Sequence, residues 1–199
     1  MKRLMMAAMM MAAIVLLALP LVAEELAVGA KAPAFELKNA VDGGVVRFAP
    51  GDGKLSVVVF TCNQCPYAKA FEDRIVALGK EFGKQGVVFY AIDPNDDAEN
   101  PVESTSEMKS RATAKSYPYP YLKDGDSHVA REYGARVTPH IFVIDKTGMV
   151  RYRGYVDDSA KPGERQHSGL EDALNSLIAG RPIAVTSTKA FGCSIKFKP

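Results

Sequence analysis

The short string Cys62-Asn63-Gln64-Cys65 constrains the fold through what lies on either side of it. Before it, residues 55–61 form an almost unbroken β-branched run, the pattern of a strand buried on both faces of a parallel sheet. After it, Ala68, Phe71, Ile75, Leu78 and Phe82 recur at helical spacing, with Lys69, Glu72, Asp73, Arg74, Lys80 and Lys84 on the other faces. Gly86 closes that helix and residues 87–92 read as a second buried strand. Strand, helix and strand in this order make a right-handed βαβ unit, so the class is α/β.

The rest of the chain decorates this unit. Residues 34–38 and 45–48 flank Asp42-Gly43-Gly44, an N-terminal β-hairpin. Residues 93–103 are polar with two prolines and read as a loop, and 104–116 as a helix. Tyr117-Pro118-Tyr119-Pro120-Tyr121 must be extended, because each proline biases its predecessor away from helix. A short helix over 127–133 ends at Gly134, and a second hairpin pairs 140–144 with 150–154. Leu170, Ala173, Leu174, Leu177 and Ile178 mark the last helix, stopped by Gly180 and Pro182. The domain is expected over 24–182, with a tail over 183–199 that carries Cys193.

Residues 1–23 read as an export signal. Lys2-Arg3 precede a run without charge from Leu4 to Ala23, and Glu24-Glu25 end it. The alternative is an uncleaved anchor, since 20 apolar residues can just span a bilayer. Either way the domain lies outside the cytoplasm, in the periplasm or its equivalent, where disulfides form and are corrected. Without Lys2 and Arg3, 23 basic residues match 23 acidic ones, so nothing in the charge favours nucleic acid.

A bare C-x-x-C is shared by zinc sites and structural bridges; at a strand-to-helix junction it reads as a redox pair. The unpaired N–H groups and positive dipole end of a helix stabilise a thiolate there. Pro66 fits the first helical turn, which leaves Cys62 at the mouth as the expected attacking and more acidic thiol, with Cys65 resolving. Three cysteines in all argue against a purely structural framework, and Cys193 is a candidate third redox thiol. Thr138-Pro139 begins the 140–144 strand and is the candidate substrate-facing loop, with Pro139 cis and the Thr138 backbone open to an extended peptide. No cofactor and no metal is called for.

With Cys62-Asn63-Gln64-Cys65-Pro66-Tyr67-Ala68-Lys69, Thr138-Pro139 and the ending Gly192-Cys193-Ser194-Ile195-Lys196, the chain resembles the thioredoxin superfamily. Within it, the chain is similar to exported proteins of the redoxin group, the alkyl hydroperoxide reductase and thiol-specific antioxidant domain. The resemblance implies a thioredoxin fold, a central mixed sheet flanked by helices with the N-terminal hairpin as an extension. It also implies a redox-active disulfide at Cys62 and Cys65, disulfide-containing exported proteins as substrates, and a thiol electron donor that can be membrane-embedded.

Departures from the pattern leave openings. Thr61 replaces the usual tryptophan, and residues 55–61 hold no acid to take the resolving thiol's proton, leaving Glu72 or a water. Ala68 stands where related reductases have glutamate. The peroxidatic pattern Pro-x-x-x-Thr-x-x-Cys fits neither cysteine, which makes a peroxiredoxin-like peroxidase a minor alternative. A copper-binding assembly factor is the runner-up, and would need His140 beside the sulfurs. His128 and His167 are expected on the surface, and Asp96 and Asp97 in turn capping.

Overall fold

The computed structural model describes residues 24–198, so the expected export segment lies outside the described residues. Its centre is β3, Ser56–Phe60, in which every residue is buried. Val57 and Val59 point into one apolar layer while Val58 and Phe60 point into the other, so the β-branched run serves two cores at once. Around it a seven-stranded mixed sheet runs in the order β2-β1-β5-β4-β3-β7-β8. The strands are β1 (Phe35–Asn39), β2 (Val45–Phe48), β4 (Val88–Asp93), β5 (Tyr121–Lys123), β7 (His140–Ile144) and β8 (Val150–Gly154). β3 is parallel to β4 and β4 to β5, whereas β7 runs antiparallel beside β3. The β1–β2 hairpin joins the sheet through β5.

Helices cover both faces. Phe71, Ile75, Leu78 and Phe82 of α1 (Pro66–Gly83), Met108 and Ala112 of α2 (Thr105–Ala114), and Leu170, Ala173 and Leu174 of α4 (Gly169–Ile178) share one layer. Val129 and Ala130 of α3 (His128–Glu132) pack into the other with Tyr133 and Phe142. This is the mixed sheet flanked by helices that the resemblance implies.

The tyrosine–proline run has a packing role. Tyr119 is buried against α1, where a Cβ on Gly79 would come within 2.7 Å of its ring. A glycine inside a helix costs about 1 kcal/mol relative to alanine, and here it makes room for that ring. Tyr121 opens β5, a strand that the sequence reading missed because its three residues carry no period. A second, two-stranded sheet is also unforeseen: β6 (Val137–Thr138) pairs antiparallel with β9 (Cys193–Ser194), tying the tail to the residues just before Pro139. No helix among the described residues is long and apolar enough to cross a membrane.

Candidate active site

β3 ends at Phe60 and α1 starts at Pro66, so the cysteines occupy the junction expected of them. Cys65 is the cap of α1: its Sγ accepts from Ala68 N–H at 3.4 Å, in place of the usual hydroxyl or carboxylate. As a thiol it donates to the Thr138 carbonyl at 3.2 Å. Cys62 Sγ lies 3.1 Å from Thr138 Oγ1. Both cysteines are buried, at 4% and 3% exposure, so Cys62 does not sit at an open mouth.

The acidity expected of Cys62 is reversed in this geometry. A hydrogen bond from Cys62, with others from Cys193, Ala68 N–H and Thr138, holds the Cys65 thiol down to about 4 against the cost of burial. The Cys62 thiol is pushed up by that shared hydrogen bond with Cys65, by burial and by the Glu103 carboxylate. The helix N–H that the sequence argument gave to Cys62 goes instead to the residue one turn on.

Glu103 is the functional residue that sequence reasoning missed. It is fully buried at the end of a short 3-10 turn, Pro101–Glu103. Its carboxylate accepts from the N–H groups of Asn63 at 2.6 Å and Gln64 at 3.0 Å, the two residues between the cysteines. Asn63 is fixed further by donating to the Val102 carbonyl and accepting from the Tyr121 hydroxyl. Behind Glu103, Lys123 Nζ donates to the carbonyls of Glu103 and Asn95 and lies 3.9 Å from Asp93. Burial pushes the Asp93 carboxyl well up; Lys123 pulls against this and Glu103 adds to it. The only available signal was Ser104-x-x-Glu107 opening α2, which would have put Glu103 just outside a helix start.

The Thr138–Pro139 peptide is cis. The Thr138 edge assigned to a substrate peptide is already taken, because Thr138 pairs with Cys193 of the tail. That pairing brings Cys193, half-buried, against the cluster of Cys62, Cys65 and Ala68. Beside the pair, a groove of about 340 Å³ is lined by Asn63, Val102, Arg111 and Lys115 among others.

Other sequence candidates lie elsewhere. Glu72 is not the proton acceptor for Cys65: Arg111 grips its carboxylate at 2.6 and 2.7 Å and the Tyr117 hydroxyl donates to it at 2.6 Å. Asp96 caps a turn at Ala98, as anticipated. His128 and His167 are exposed. His140 does not join the sulfurs; its ring packs 4.6 Å from that of Phe142, on the α3 side of the sheet. The imidazole that a copper site needs is therefore missing from the thiol cluster.

Both His140 ring nitrogens are buried with no hydrogen-bond partner. Burial, reinforced by the charges of Arg153 and Arg136, holds its pKa down to about 4 from 6.5. A folded pKa below the unfolded one gives stability that is complete above the unfolded value and lost as pH falls through the folded value. Between pH 7 and pH 4 the loss is on the order of 3 kcal/mol. Urea unfolding at both pH values should show that His140→Phe, which has nothing to protonate, escapes this part of the acid sensitivity. Equal losses in both proteins would remove His140 from the account.

Known proteins resemble this chain in sequence and fold. Residues 28–153 match the AhpC/TSA family. The chain is 28% identical over 137 residues, 65% of itself and 68% of the relative, to thiol:disulfide interchange protein DsbE of Pseudomonas aeruginosa. Among solved structures, an uncharacterized conserved protein from Geobacillus kaustophilus superposes with a TM-score of 0.82 at 37% identity, covering 87% of this chain and 94% of that one. The thioredoxin domain of a thiol–disulfide oxidoreductase from Bacteroides vulgatus shares the fold, with a TM-score of 0.53 at 21% identity over 63% of this chain and 86% of that one.

Proposed function

The chain belongs to the AhpC/TSA family, and on that footing we propose that it is an exported thiol–disulfide oxidoreductase working through Cys62 and Cys65. Its substrates are disulfide-containing exported proteins, and a thiol donor, membrane-embedded or soluble, returns the electrons. The observation that carries this reading is a pair of free cysteines three residues apart at the start of α1, joined by a shared hydrogen bond, with Cys65 accepting from Ala68 N–H. The likeness to a protein named for thiol:disulfide interchange supports it.

In the cycle, Cys62 passes its proton to Cys65 across their shared hydrogen bond and attacks a substrate sulfur, and the substrate's second sulfur leaves as a thiolate. Cys65 then gives that proton to the departing thiolate, attacks Cys62 Sγ, releases the reduced substrate and closes the Cys62–Cys65 disulfide. Thr138 Oγ1 faces Cys62 and lowers its pKa, which assists the first step. Asn63 and Gln64 add no cation, and Glu103 opposes charge on Cys62, so the pair suits a reductase or isomerase. Nothing favours the copper reading, since its histidine is elsewhere.

Insulin reduction driven by a small dithiol tests the assignment. The wild type should accelerate it, and Cys62→Ser/Cys193→Ser, which leaves Cys65 without a second thiol, should fall to the uncatalysed rate. Full activity in that variant would remove Cys62 from the reaction.

A further inference from the structure

The tail after α4 is anchored on both sides of Cys193. Phe191 makes edge contacts with Phe71, Tyr67 and Tyr155. Gly192 passes so close to the sheet that a Cβ would lie 2.0 Å from the Thr138 carbonyl oxygen. Ile195 is buried in the α3-side core, and its N–H donates to the Arg136 carbonyl at 2.9 Å. Lys196 is held through its N–H to Asn95 Oδ1 and through its carbonyl to Asp96 N–H, and Lys198 N–H reaches Ser127 Oγ. So many anchors for a few residues fix Cys193 in one place. That place is the Thr138 edge, where a substrate strand would lie, with Cys193 Sγ in contact with Cys65 Sγ and accepting from Tyr67 N–H.

We propose that Cys193 is a built-in substrate thiol that takes the disulfide from Cys62, so that the oxidised protein exchanges between a Cys62–Cys65 and a Cys65–Cys193 bond. The inference rests on the dithiol chemistry proposed above. The Cys193 thiolate attacks Cys65 Sγ; the Cys65–Cys193 bond forms, the Cys62–Cys65 bond breaks, and its electron pair leaves on Cys62. The proton given up by Cys193 is matched by one taken up at Cys62, and no electron enters or leaves.

Two influences that oppose this attack disappear when it is needed. In the reduced protein burial, followed by the hydrogen bond and charge of Cys65, raises the Cys193 thiol to about 11, while Tyr67 N–H and Lys196 pull it down. Once Cys65 is in a disulfide it carries neither charge nor thiol, and the two lowering groups remain. The exchange also leaves an oxidised protein with a free Cys62. Such a protein can attack a wrongly paired substrate disulfide and be released by a second substrate thiol, which is isomerisation without an outside reductant.

The test is to oxidise the full chain with oxidised glutathione, quench in acid, alkylate the remaining thiol and map the label and the linked peptides by mass spectrometry. The expected wild-type result is a label divided between Cys193 and Cys62, with the two oxidised forms within about tenfold of each other. The Cys62→Ser variant should form an intramolecular Cys65–Cys193 bond, and Cys62→Ser/Cys193→Ser should instead hold glutathione on Cys65. A label confined to Cys193 in the wild type, with Cys193 still free in Cys62→Ser, overturns the inference. If that protein nonetheless reduces insulin, the dithiol reading stands. If the wild type forms no Cys62–Cys65 disulfide and reduces no insulin, both fall together.

Discussion

Replacing Cys65 with serine should convert a transient encounter into a stable covalent complex. In the cycle above, substrate is held on Cys62 only until Cys65 attacks, so removing Cys65 removes the exit. Two features of the site make the effect one-sided. The largest influence raising the Cys62 thiol is its hydrogen bond with Cys65, which the substitution takes away, while the Thr138 hydroxyl that lowers it remains. Cys193 touches Cys65, so an adduct formed on Cys65 in the Cys62→Ser variant has a neighbouring thiol to release it. Non-reducing gels of exported extracts should therefore show adducts on Cys65→Ser and far fewer on Cys62→Ser. The opposite asymmetry would make Cys65 the attacking residue.

Glu103 is where the largest stability effect is expected. Glu103→Ala strands the N–H group of buried Asn63 and removes the acceptor of Gln64 N–H beside it. A buried unsatisfied donor costs about 1–3 kcal/mol, which is the expected loss at Asn63, with less from the more exposed Gln64. Glu103→Gln keeps the shape and one acceptor but removes the charge. It should lose less stability, lower the Cys62 pKa and raise the reduction potential by about 30–60 mV, one to two tenfold steps in the exchange equilibrium. Denaturant unfolding of both variants, with potentials measured alongside, checks this. An unchanged potential in Glu103→Gln would mean that its charge does not reach the pair.

The parts of this site legible in the sequence are those written in local pattern. Val57, Val58 and Val59 announce a two-sided strand, and Phe71, Ile75, Leu78 and Phe82 announce the helix behind the cysteines. Their junction needed nothing from elsewhere in the chain. The acidity order depends first on how the two sulfurs share a hydrogen bond and then on which of them meets Ala68 N–H, both matters of backbone direction at the cap. Glu103 escaped, and Cys193 was named as a third redox thiol without a position, for a different reason. Each reaches the pair across a long stretch of chain, one from a 3-10 turn and one from a two-residue strand, and neither element has a period to read. A polar loop and a mixed tail look alike in composition whether they drift over a surface or close an active site.

The central claim is that Cys62 and Cys65 form one redox couple, and its reduction potential as a function of pH tests it most directly. With the thiolate favoured on one sulfur of the reduced pair and the proton kept on the other, reduction takes up two electrons and one proton. The potential should fall by about 30 mV per pH unit from roughly pH 5 to 8, half the slope of a couple that binds two protons. The thiolate held on Cys65 pulls the couple toward oxidising values, and the Glu103 charge with the neutral Asn63-Gln64 spacer pulls it back. Equilibration with glutathione buffers near neutral pH should therefore give a potential of about −180 to −290 mV. A value near −120 mV, that of a strong disulfide donor, or no Cys62–Cys65 disulfide in any buffer, would contradict the account.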